Sequence, residues 1–116
     1  MCFYDRTGKA VAFTDDDTHV FLINGTPVAY IFGDAVYTFP GRQIGWYENG
    51  WIRDPDGKAV FFTENAREPG PVRPVKGVTP VKGTKRVLPV KGVRDVRRVK
   101  PTTSFQWSVL SGEQFF

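Results

Sequence analysis

The sequence has almost none of the residues on which chemistry usually depends. One cysteine, Cys2, and one histidine, His19, stand among 116 residues. A lone cysteine excludes an intramolecular disulfide and agrees with a reducing compartment. Zinc-ligand spacings, phosphate-binding glycine loops, dinucleotide fingerprints and nucleophile elbows are all absent. No run of eighteen apolar residues occurs, so no membrane span is expected. The opening residues MCFYDRTGKA lack an apolar run of signal-peptide length. The expectation is a cytoplasmic protein without cofactor or metal and with no membrane partner.

The few reactive groups have plain readings. His19 reads as a polar group at a strand end. Asp15, Asp16 and Asp17 could offer oxygen ligands to a cation, but they read better as a solvated loop in which Thr18 supports a turn. Nothing beside Cys2 would activate its thiol. No catalytic residue is expected, and the protein is read as a non-enzyme.

What is present is turn-forming and aromatic. Glycine and proline together make 21 residues (12 and 9), which favours turns and extended chain over long helices. Charge is segregated. Residues 1–66 carry 5 Lys/Arg and 9 Asp/Glu, whereas residues 67–101 carry 11 Lys/Arg and 2 Asp/Glu. The basic stretch therefore either binds an outside polyanion or folds against the acidic part.

The acidic part repeats. Gly8, Gly25, Gly41 and Gly57 are 17, 16 and 16 residues apart. The third residue after each glycine is β-branched (Val11, Val28, Ile44, Val60), and the fifth is aromatic (Phe13, Tyr30, Trp46, Phe62). The fourth is small in three repeats (Ala12, Ala29, Gly45), with Phe61 as the exception. Five residues upstream stand Phe3, Val20, Val36 and Ile52. Four upstream stand Tyr4, Phe21 and Tyr37, with Arg53 breaking the column. Side-chain alternation places third and fifth positions on one strand face. Asn24-Gly25 carries the signature of a two-residue type I′ turn. Asn49-Gly50 and Gly33-Asp34 mark returns between repeats. The expectation is about eight short strands in an antiparallel meander over 1–66.

A basic arm follows at 67–103, and within it residues 71–100 have a period of three. Valine holds the middle of nine of ten triplets, and Lys or Arg ends eight of ten. Three is the period of polyproline II. Collagen is excluded because glycine is not at every third position. Five prolines between 71 and 101 speak against a parallel β-solenoid. An aromatic segment at 104–116 reads as an anchor, which requires the arm to return to its own domain or to cross to a neighbouring subunit.

The Gly-x-x-Val-Ala-aromatic blocks, the stretches Trp46–Asp54 and Phe61–Ala66, the Pro-Val-Lys arm and the closing Leu110–Phe116 resemble the four-fold beta flower family. The resemblance covers nearly the whole chain. It implies an all-β fold of four pseudo-repeated antiparallel hairpins, followed by an extended polyproline-II-like arm and a docking segment. It brings no catalytic residues.

The leading functional expectation is a structural or interaction module that self-associates as a homo-oligomer. The residues assigned to it are Val72, Val75, Val78, Val81, Val87, Val90, Val93, Val96, Val99, Phe105, Trp107, Phe115 and Phe116. The alternative is binding of nucleic acid or another polyanion by Lys76, Lys82, Lys85, Arg86, Lys91, Arg94, Arg97, Arg98 and Lys100. A second alternative is a glycan or choline ligand held by Trp46 and Trp51 of the aromatic hairpins, against which both tryptophans read as core.

Overall fold

The computed structural model describes all 116 residues. Eight short strands run in chain order: β1 (Cys2–Tyr4), β2 (Ala10–Phe13), β3 (His19–Leu22), β4 (Pro27–Phe32), β5 (Ala35–Tyr37), β6 (Gln43–Glu48), β7 (Trp51–Arg53) and β8 (Ala59–Phe62). Each pairs antiparallel with the next, and Tyr4 opposite Phe62 joins β1 to β8, closing a barrel. Closure removes the exposed edges that four hairpins would otherwise present. The molecule is a disc of 36 × 36 × 22 Å.

The four intra-repeat turns share one hydrogen-bond pattern. Asp5, Leu22, Thr38 and Asp54 donate their N–H to the carbonyl four residues on and accept from the N–H of the repeat glycine. Each glycine has positive φ, between 85° and 112°, as a three-residue turn with a glycine bulge requires. This corrects the type I′ reading of Asn24-Gly25, since Asn24 is not at positive φ. That geometry lies instead at Asn49-Gly50, where φ is 51° and 82°, between the paired Glu48 and Trp51.

The strand faces also differ from simple alternation. In every repeat the register slips by one residue: Phe3 faces Ala12, yet Tyr4 faces Ala10, and the same slip recurs at Val28, Ile44 and Val60. The third position is therefore bulged. Val11 and Ala12 both enter one core cluster with Phe3, Val20, Val36, Ile52 and Phe61. Phe13 and the other fifth-position aromatics lie on the opposite face, in two separate clusters. The expectation that third and fifth positions share a face is overturned. The first cluster is the barrel interior, and the aromatics clad its outside.

No helix is long and apolar enough to cross a membrane.

Candidate interaction surface

The arm encircles the barrel. No backbone hydrogen bond joins two residues of 71–103; the arm bonds only outward from itself, to the barrel. The first position of each triplet makes these bonds. From 71 to 104, five first positions are proline, and the other seven all donate their N–H to the barrel. Gly77, Arg86, Asp95 and Ser104 donate to the carbonyls of Gly8, Gly25, Gly41 and Gly57 at 2.8, 3.0, 2.8 and 3.2 Å. Gly83 and Gly92 donate to Ile23 and Phe39 at 2.7 Å, and Arg98 donates to Oε1 of Gln43 at 2.9 Å. Proline thus occupies the positions where no donor is used.

The true repeat of the arm is nine residues, three triplets for each hairpin. A three-fold extended chain rises about 3.1 Å per residue, so the 36 residues from 69 to 104 give a ring roughly 36 Å across. That is the width of the disc. Glycine at 83 and 92 allows the approach: a Cβ there would lie 2.3 Å from the Asn24 carbonyl oxygen and 2.2 Å from that of Pro40.

The third positions face inward. Lys82, Lys91 and Lys100 lie over Phe13, Tyr30 and Trp46, and Lys76 and Lys85 over Tyr4 and Phe21, at 4.7–5.9 Å from the ring centroids. Arg94 covers Phe32 at 3.8 Å and Arg97 covers Trp46 at 5.0 Å. Such contacts are each worth about 0.5–1 kcal/mol where exposed. The non-basic exception Thr79 also points in, hydrogen-bonded to the Tyr4 hydroxyl at 3.2 Å. Lys85 pairs with Asp15, Arg97 and Lys100 with Asp34, and Lys100 with Glu48. Burial alone would raise the Asp34 carboxyl, but the hydrogen bonds and charges of Lys100 and Arg97 outweigh it and hold the group below 3.8. The Glu48 hydrogen bond, together with Asp34, raises Lys100 above 10.5. Of the nine cations assigned to a polyanion, seven are folded onto the chain's own rings. Arg98 is held through its backbone N–H to Gln43, and Arg86 by its backbone N–H alone.

The valines face the other way. All nine are 91–97% exposed. The valine stripe packs on nothing in its own chain and forms the rim of the disc.

The ring is fastened where it starts and ends. Arg53, only 4% exposed, donates to the carbonyls of Pro69 (2.7 Å), Ser104 (2.8 Å) and Gly57 (2.8 Å). It also faces the Trp51 ring at 5.7 Å. The break in the aromatic column is thus a clasp between the two ends of the arm. Beyond it, buried Ser108 donates to Asp54 Oδ2 at 2.6 Å. Trp107 bridges to Ala59 and packs on Trp51 and Phe62. Phe105 is 65% exposed, while Phe115 is buried inside the barrel and Phe116 stacks on Phe61. Arm and aromatic segment therefore return to their own domain, the first of the two routes the sequence left open. Trp46 and Trp51 are 2% and 1% exposed, the first covered by Arg97 and Lys100, so neither opens a cage to a glycan or choline.

His19 Nδ1 pairs with Asp16 Oδ2 at 2.6 Å within its own loop, and Cys2 is buried. No group of three or more His, Cys, Asp or Glu side chains is arranged to hold a metal.

Compared with known proteins, the chain matches the family model described as 4-fold beta flower protein over residues 1–116. No curated protein and no solved structure matches it.

Proposed function

The chain belongs to the 4-fold beta flower family, and on that premise we propose that it is a non-catalytic module that self-associates through its valine rim. The carrying observation is nine valines, each more than nine-tenths exposed, on an ordered arm. Apolar side chains repeated this regularly and left in water mark an interaction surface. The rim suits a second copy of the chain for an electrostatic reason. The chain carries a net charge of +4, yet its arm cations are turned onto its own rings and carboxylates. Two rims can approach without aligning their charges.

The contact is weak for each pair of discs. Three valines from each copy would contribute roughly 9 kcal/mol at the low end of burial values, against an association cost of at least about 4 kcal/mol. Assembly thus needs high concentration or contacts at several points of the rim. The test is light-scattering mass after size exclusion up to hundreds of micromolar, for the native chain and for Val75→Ser/Val81→Ser/Val90→Ser. The native chain is expected above its monomer mass of 13.1 kDa and the variant at a lower mass than the native chain at the same concentration. A native chain that stays at monomer mass throughout sinks the proposal.

A second reading, polyanion binding, is supported by the half-exposed side chains of Lys85 and Arg97. It requires affinity for nucleic acid that falls steeply with salt; a flat salt response removes it.

A further inference from the structure

Residues 109–116 are held differently from everything before them. Up to Ser108 the chain is hydrogen-bonded to the barrel. After it, every hydrogen bond is local: Leu110 N–H to Ser108 Oγ, Ser111 N–H to Gln114 Oε1, Gln114 N–H to the Ser111 carbonyl and Phe116 N–H to the Glu113 carbonyl. None reaches the barrel. Val109 is 85% exposed. The segment is retained by side-chain packing, with Phe115 and Phe116 against Phe61 at its centre.

The barrel is shaped to receive them. An eight-stranded barrel has interior room for side chains or for one small ligand. Three repeats offer a small fourth position, and Phe61 supplies the large one. Phe115 meets Phe61 edge to face at 5.8 Å, and Phe116 stacks on it at 5.6 Å. Gly45 leaves space on this side too: a Cβ there would lie 2.1 Å from the Arg53 carbonyl oxygen and 2.8 Å from Phe115 Cζ. Clefts of about 580 and 780 Å³ flank Glu113 across the same mouth, one bordered by Lys9 and the other by Arg42.

We propose that this mouth is a peptide-binding site for two adjacent phenylalanines, filled here by Phe115 and Phe116 of the chain itself and open to the same pair from a second copy. A side chain that merely completed a core would share the backbone bonding of the elements around it. This pair arrives on a strap with none. Tethering at Ser108 gives the resident pair a high effective concentration, so exchange requires that the strap be cut or its pair removed.

The test uses the full chain with a protease site placed at Val109-Leu110 and cleaved after folding. A fluorescent peptide of residues 109–116 is then added. The cut protein is expected to keep its far-UV circular dichroism and tryptophan emission and to exchange its own segment for the labelled one. The Phe115→Ala peptide should bind at least about 100-fold more weakly, from the usual cost of truncating a buried phenylalanine. The uncut Phe115→Ala/Phe116→Ala protein should remain folded and bind the native peptide. Unfolding of either protein, no exchange, or equal binding of the Ala peptide overturns the proposal. The readout is exchange rather than mass, so a monomeric native chain, which would sink the valine-rim reading, leaves this test standing.

Discussion

Replacing Arg53 by methionine tests the clasp. Methionine keeps much of the volume and removes the donors, so the carbonyls of Pro69 and Ser104 lose their partner together, while that of Gly57 keeps the Ser104 N–H. Each of the two acceptors left unpaired costs roughly 1 kcal/mol or more, giving about 2 kcal/mol in total. For a domain of this size that lowers the melting temperature by roughly 10 °C. Because two of the three carbonyls are the ends of the ring, the loss should appear first in the arm. The arm offers trypsin eight Lys/Arg sites between 76 and 98, since Arg73 and Lys100 each precede proline. Opening made easier by about 2 kcal/mol speeds cleavage there on the order of 30-fold when opening and closing are fast. Arg53→Lys should do no better, since one ammonium cannot span three carbonyls as a guanidinium fork does. Arg86→Met, at an exposed side chain without a partner, should change stability by less than about 0.5 kcal/mol. An Arg53→Met protein that melts within a degree or two of the native chain and is cut at the native rate would refute the clasp.

Other outcomes follow from the same geometry. Gly83→Ala and Gly92→Ala place a Cβ against backbone oxygens at 2.3 and 2.2 Å, whereas Gly77→Ala meets one at 3.2 Å; the first two should lower the melting temperature clearly and the third little, as a thermal scan will show. Asp34 has a lowered pKa, so its contribution is full above pH 3.8 and lost as pH falls below it; Lys100 has a raised one, so its contribution is full below pH 10.5 and lost above. Tryptophan emission, reporting on Trp46 beneath Arg97 and Lys100, should be flat between those limits and change outside them, and Asp34→Asn should abolish the acid limb.

The repeat, the strand count and the three-fold arm were legible because they are local patterns. The faces of the bulged strands were not. Both sides of this barrel are buried, one by the interior and the other by the arm, so Val11, Ala12 and Phe13 are all apolar and period two leaves no trace. The turn at Asn24-Gly25 misled because its dipeptide is common to two hairpin geometries that differ by one residue of loop. The valines were expected at an interface between copies, and nothing in the triplet pattern said which of its three stripes would face the barrel. They face out because the aromatic cladding takes cations instead. Two signals were present and went unread. Arg53, the one charged residue in an aromatic column, marked the clasp, and Gly83 and Gly92, nine residues apart, marked the longer period hidden beneath the triplets.

That nine-residue period makes the arm a measuring tape for the barrel. One length of tape is laid down for every hairpin, and the glycine carbonyls are its graduations. A residue inserted in a hairpin loop beyond the graduations is absorbed locally, whereas a residue inserted in the tape displaces every later donor from its acceptor. Enlarging the ring to five hairpins would require about sixteen residues in the barrel and nine in the arm, added together. Hairpin number and arm length are thus a single variable, and any attempt to resize the molecule must change both at once.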